Sequence, residues 1–345
     1  MKNLILKLVT LIAVVVLTPK GTVAQDIHFS QFSETPILRN PALAGIFSGD
    51  IRIQAVYRSQ WGSVTVPYQT TSLNAEYKLP VGNGDDFLTI GGAILYDQAG
   101  TIALKATHVL PVLNFHKSLS AARNMYLSAG FDAGIVQRTL DYSKVTTNSQ
   151  FNGNNYDPTL SNGEPFTNTG FAYFDGSAGL SFNTQIGENP DNNIYIGAAY
   201  HHFNKSAKVS FYNSPDIELI PKIVLSGGLR MSVNDYAYTT YYADYSKQGG
   251  YKELIGGMLY SVKLDDPETP KYIISGGGFL RWKDAFIPVV KLEANSLTFA
   301  VSYDANVSQL KAASQSNGGF EISVSYQKFL DRNNSSREAV RCPRF

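Results

Sequence analysis

Five histidines, one cysteine and scattered carboxylates are the residues with which this chain could do chemistry. Imidazoles bind metals or move protons, thiolates attack, and paired carboxylates act as acid and base. The spacing argues against each. His201 and His202 are adjacent in an alternating stretch, so they are expected to point to opposite faces and not to hold one metal together. His108 and His116 are eight apart on one stretch, too far to share an ion. Cys342 has no histidine near it in sequence and reads as a free periplasmic thiol. Asp244 and Glu253 fall on neighbouring stretches, but a carboxylate pair in wet surroundings is seldom catalytic. Gly276–Phe279 reads as a strand where small residues permit twist, not as a phosphate cradle. The sequence holds no G-x-S-x-G elbow, phosphate loop or dinucleotide fingerprint. No catalytic residue, cofactor or metal is expected, and the chain is not expected to be an enzyme.

The elements that carry these residues are strands. In Phe320–Phe329 the apolar Phe320, Ile322, Val324 and Tyr326 alternate with Glu321, Ser323, Ser325 and Gln327. That is a period of two, with one oily and one wet face. The same alternation recurs from Ile51 onward, broken by clusters of Gly, Asn, Asp and Pro. About fourteen strands of roughly ten residues result. A tilted membrane-crossing strand needs about that length, whereas soluble strands peak near five or six residues. The wet faces carry Glu76, Asp132, Asp175, Lys222 and Glu253, which a dry core would not hold without individual partners. These features predict an all-β, antiparallel transmembrane β-barrel with its oily faces in lipid and a hydrated lumen. Phe320–Phe329 is expected to close it against the strand at Ile51, leaving no backbone edge in hydrocarbon.

The connections agree. Counted alternately, 138–169, 204–221 and 305–319 fall at one end, as the long external loops of bacterial barrels do. Both ends of the mature chain are then expected on the periplasmic side. Composition fits a protein at a lipid–water boundary: charged residues are only 17%, with 21 Tyr and 19 Phe. A net charge of +1 gives no basic excess to attract nucleic acid.

Lys2 and Lys7, an apolar run from Leu8 to Leu17 and Thr22–Ala24 read as a cleaved export signal, so the mature chain should begin at Gln25 or Asp26. The run is too short for a spanning helix. With one cysteine, an internal disulfide is ruled out. The chain thus divides into a signal at 1–24, an N-terminal plug or periplasmic segment at 25–50, a barrel at 51–329 and a periplasmic tail at 330–345.

Two segments outside the strand pattern look specific. Asp26–Gly45 carries His28, Phe29, Phe32, Ile37 and Leu38, more apolar surface than a disordered leader needs. It reads as a plug folded into the periplasmic mouth or lumen, or as a flap on the rim. The polar loop 138–169 contains Phe151, Tyr156 and Phe166. A loop of that length is usually functional or disordered. His28, Phe29, Phe32, Leu38, Phe151, Tyr156 and Phe166 are the candidate partner-binding side chains.

These segments also carry a resemblance. His28–Gly45 (HFSQFSETPILRNPALAG), Tyr57–Trp61 (YRSQW), Ser149–Phe151, Phe174–Leu180, Gly197–Phe203, Gly276–Leu310 and the terminal CPRF keep the order seen in the PorP/SprF family of type IX secretion outer-membrane proteins, which the chain resembles over nearly its whole mature length. The resemblance implies a non-enzymatic barrel that works with the secretion and gliding machinery. Some members are needed to place a large adhesin on the cell surface, and others associate with the periplasmic ring of the secretion motor. Expected partners are outer-membrane lipid, type IX secretion components and a secreted surface adhesin. The alternative is an outer-membrane diffusion channel or small-solute transporter.

Overall fold

The computed structural model describes residues 26–330, apart from 63–64, 83, 167, 190, 207–208, 213–217 and 309–316. The export signal, Cys342 and nearly all of the C-terminal tail lie outside the described residues.

Fourteen strands follow one another around a closed barrel. They are β1 (Ile51–Gln60), β2 (Tyr68–Pro80), β3 (Phe87–Ala99), β4 (Leu104–Ser120), β5 (Met125–Thr139), β6 (Gly170–Gln185) and β7 (Asn193–His201). The second half comprises β8 (Lys222–Asn234), β9 (Ala237–Gln248), β10 (Tyr251–Lys263), β11 (Tyr272–Arg281), β12 (Ala285–Ala294), β13 (Leu297–Asn306) and β14 (Asn317–Lys328). Every neighbouring pair is antiparallel. β14 closes on β1 from Ile51↔Lys328 to Gln60↔Gly319, so the backbone has no open edge.

The facing follows the period of two. On β5, Leu127, Phe131 and Ile135 point outward, Phe131 with 46% of its surface exposed. Phe320, Ile322, Val324 and Tyr326 do the same on β14. The inward set differs from the expected hydrated lumen: Ser128 is 0% and Glu321 1% exposed. The bore is filled by residues 26–50, and with water displaced the inward charges of Glu76, Asp175, Lys222 and Glu253 take protein partners. Glu76 pairs with Arg52 at 2.7 Å, Asp175 with His202 at 2.9 Å and Lys222 with Asp26 at 3.1 Å. Glu253 lies 3.8 Å from Arg281, and Asp132 stands opposite Ser177 on β6.

Connections sort onto two ends. The loops 140–169 and 202–221 share the end at which β1 finishes. The other end has tight turns, such as Asn295-Ser296 between β12 and β13, where Asn295 takes the left-handed φ of 53° that a short hairpin requires. Ile51 and Lys328 lie at the short-turn end.

The expectation that both chain ends share that side is overturned. Asp26 sits beside His202, Lys222 and Gln248, where β7 ends, β8 begins and β9 ends. That is the long-loop end. The N-terminal segment therefore runs down the whole bore before entering β1. Nothing in an unpaired leader's composition encodes that direction; it is set by partners far away in sequence.

Candidate functional site

The plug is built from short turns because its sequence permits nothing longer. Phe32–Glu34 and Pro41–Leu43 form 3-10 turns on either side of α1 (Pro36–Arg39). Pro36 and Pro41 occupy first-turn positions, where a missing N–H costs nothing. Asn40 joins the two. Its Oδ1 accepts from the Ala42 N–H at 2.8 Å, and its Nδ2 donates to the Leu180 carbonyl on β6 at 3.1 Å.

One wall is shaped to this backbone. Gly130 on β5, Gly179 on β6 and Gly197 on β7 all face inward. A Cβ at Gly130 would run into the Pro41–Ala42 peptide, and at Gly179 or Gly197 into the Asn40 amide. Asn114 Nδ2 donates to the carbonyls of Ala42 at 2.9 Å and Ala44 at 2.7 Å, and Ser181 Oγ donates to Ala42 O at 2.8 Å. Wall side chains thus satisfy the plug's backbone where water is excluded.

The opposite wall grips by charge. Glu321 on β14 accepts the backbone N–H groups of Ser30 at 2.6 Å and Gln31 at 2.7 Å, and its carboxylate lies 3.1 Å from Arg58. Asp304 accepts from Ser30 Oγ at 2.7 Å and from Arg58 at 3.1 Å. Lower in the bore, Lys291 pairs with Glu34 at 3.0 Å, and the Gly45 N–H donates to Glu76 at 2.6 Å. Arg39 makes a two-pronged pair with Asp244 and donates to Tyr195 Oη at 3.1 Å.

The apolar side chains complete the seal. Phe29 packs with Val56 and Leu95, and Ile37 with Ala44, Ala93 and Val112. Phe32 packs with Ile255, Phe279 and Ile287. Leu38 lies against the first two clusters. His28 uses its carbonyl to accept from Arg58 at 2.8 Å. All four plug residues singled out from the sequence therefore spend their contacts on the barrel's own wall.

The three loop residues lie elsewhere. Phe151 and Tyr156 bridge to each other and stand 56% and 51% exposed. Phe166 packs against Tyr142 at 5.9 Å and Tyr212 at 5.0 Å, tying loop 140–169 to loop 202–221. The structure thus divides the seven candidates between an interior plug and an outer surface.

The histidines need a correction. His201 and His202 both turn inward, because His202 follows the strand with φ 59° and the left-handed twist swings it back. His201 bonds Ser177 at 2.9 Å and the Arg39 carbonyl at 3.0 Å, and His202 reaches Asp175 and Asp26. Among the described residues no cluster suits a metal ion. Asp244 and Glu253 do not form a carboxylate pair, since each faces an arginine. The wall residues that grip the plug, Arg58, Asp304 and Glu321 above all, escaped sequence reasoning. Their one signal was that they are charged at inward positions.

His202 and Asp26 make the upper end of the plug pH-sensitive. Burial works against the His202 charge, yet its hydrogen bond to Asp175 and the negative charge of Asp26 3.4 Å away carry its pKa up to about 9. Burial also works against the Asp26 charge, but Lys222 and His202 hold that carboxyl well below the usual range. A raised histidine stabilises the seated form fully below its ordinary value of 6.5, and the gain is lost as pH climbs through about 9. The depressed Asp26 acts in the opposite sense, contributing above 3.8 and failing only in acid. Amide exchange of Ile27–Phe29, corrected for intrinsic rate, should therefore speed up between pH 7 and 9.5. His202→Gln should remove that difference; a wild-type segment equally protected at both pH values would refute the latch.

Comparison with known proteins gives one family. A family model described as "Type IX secretion system membrane protein PorP/SprF" matches residues 22–326. A comparison with curated proteins found no match. Among solved structures the chain is similar to a deltaS2 mutant of the TodX monoaromatic hydrocarbon channel, at 10% identity, covering 86% of this chain and 94% of that one, with a TM-score of 0.50. It is also similar to the CymD monoaromatic hydrocarbon channel (10% identity, 88% and 95% covered, TM-score 0.48) and to a Pseudomonas aeruginosa FadL homologue (10%, 85% and 94%, 0.44). At this identity the TodX likeness establishes the fold alone, a closed transmembrane barrel.

Proposed function

Because the chain belongs to the PorP/SprF family of type IX secretion system membrane proteins, we propose that it is a sealed, non-enzymatic outer-membrane barrel that holds a secreted surface protein and contacts the secretion machinery. It reaches the outer membrane after loss of the segment 1–24, with loops 140–169 and 202–221 at the cell surface. The observation that carries the reading is the filled bore. Plug and wall satisfy each other's charges across the lumen, from Asp26–Lys222 at one end to Gly45–Glu76 at the other. A barrel so occupied works through its two rims, not through its interior. Phe151 and Tyr156 present exposed aromatic surface on the longest loop, the kind of side chain that anchors protein interfaces.

The test is co-purification from detergent-solubilised envelopes. The wild type should bring down a type IX component or a secreted adhesin. Phe151→Ala with Tyr156→Ala should lose the adhesin while the barrel still runs as a heat-resistant folded band. An epitope at Asn154-Asn155 should be labelled on intact cells. A barrel that captures no secretion component, or an epitope reached only after lysis, would refute the reading.

A further inference from the structure

Plug and wall do not meet equally all round. Against β5–β7 the plug backbone lies on glycines, and against β1, β13 and β14 it is held by charge. Along β8–β11 space remains. A cavity of about 280 Å³ opens at the short-turn end among Pro267, Glu268, Asn295 and Ser296, and extends up to Tyr242 and Leu259. A second cavity of about 60 Å³ lies toward the long-loop end, bounded by His28, Lys222, Ser246 and Glu253, and extends down to Phe32 and Ile255. The smaller one is roomy enough to hold water.

What separates them is thin and apolar. Ile255 in the upper cavity and Leu259 in the lower share the inward face of β10, about 13 Å apart at the usual strand rise. The inward position between them is Gly257, which has no side chain and leaves room for the Phe279 ring. From the plug, Phe32 packs into this interval against Ile255, Leu259 and Phe279, with the Arg39 guanidinium over its ring at 4.9 Å. Its ring meets Phe279 edge-on at 5.0 Å and Tyr242 at 6.2 Å. A dry apolar constriction between two polar cavities blocks ions by excluding water. Phe32 sits on a 3-10 turn outside the strand ladder, so its ring can move without any strand parting.

We propose that the β8–β11 side of the bore is a latent path for water and small inorganic ions, held shut by the Phe32 ring. Both signs of charge line it, four lysine or arginine side chains against three carboxylates in the lower cavity and Arg39 and Lys222 against Asp244 and Glu253 in the upper. Its selectivity between cations and anions is therefore weak.

The test uses the full-length barrel in planar bilayers, with trypsin as a reporter of the plug. Arg39 is buried and ion-paired, so the bond after it is cut only when the plug has left. Wild type should be silent. Phe32→Ala should pass a small, steady, weakly selective current while the bond after Arg39 stays intact. Phe32→Cys with Cys342→Ser should conduct likewise, and benzyl methanethiosulfonate, which restores an aromatic ring, should close it again. Silence of both Phe32 variants would overturn the proposal. So would current that comes only together with cleavage after Arg39, or current that benzylation leaves unchanged.

Discussion

Gly130→Leu should unseat the plug and turn a silent barrel into an open pore. The glycine's inward position touches the Pro41–Ala42 peptide, so the neighbour that must give way is backbone on a proline-fixed turn. Overpacking a core by a few methylenes usually costs about 1–3 kcal/mol, where side chains can repack. Here they cannot, and the Asn114 and Ser181 bonds to Ala42 break with any shift. The barrel itself should survive, because β5 keeps both of its ladders. Gly276→Leu is the control. It points outward and a Cβ there meets nothing within 4 Å. Bilayer conductance and trypsin cleavage after Arg39 should both rise for Gly130→Leu and stay at wild-type level for Gly276→Leu. Equal behaviour of the two variants would show that the glycine seat does not hold the plug.

Glu321→Ala should release the upper half of the plug and lower the unfolding temperature. Removing this carboxylate leaves the buried N–H groups of Ser30 and Gln31 without their acceptor and strips Arg58 of one of its two carboxylates. Breaking a buried ion pair from one side costs about 3–5 kcal/mol. An unsatisfied buried donor adds about 1–3 kcal/mol. Glu321→Gln retains one acceptor oxygen and should fall between alanine and wild type. The measurement is the temperature at which the heat-resistant band unfolds on gels, read beside cleavage after Arg39. If Glu321→Ala is as stable and as protected as wild type, the charged grip contributes nothing.

The strands were legible because their period is local: each residue's side is fixed by its neighbours two positions away, as on β5 and β14. Loop sorting was legible for the same reason, since it needs only lengths between strands. That Asp26–Gly45 folds was also visible, from Phe29, Phe32, Ile37 and Leu38. Its direction and its seat were not. Ser30 meets Glu321 across 291 positions, and Asn40 meets Leu180 across 140. No spacing rule reaches that far. That a plug, not water, faces most of the wall followed from the same missing fact, because Ser128 or Glu76 at an inward position reads alike in either case. His202 was misplaced because a left-handed residue at a strand end breaks the alternation without any glycine to signal it.

The most direct measurement is the conductance of the purified barrel beside a form lacking Asp26–Gly45. A plug-sealed bore predicts no steady current from the full chain and a large, steady one from the deletion, with both running as folded bands. A full chain that conducts steadily, or a folded deletion as silent as the full chain, would contradict it.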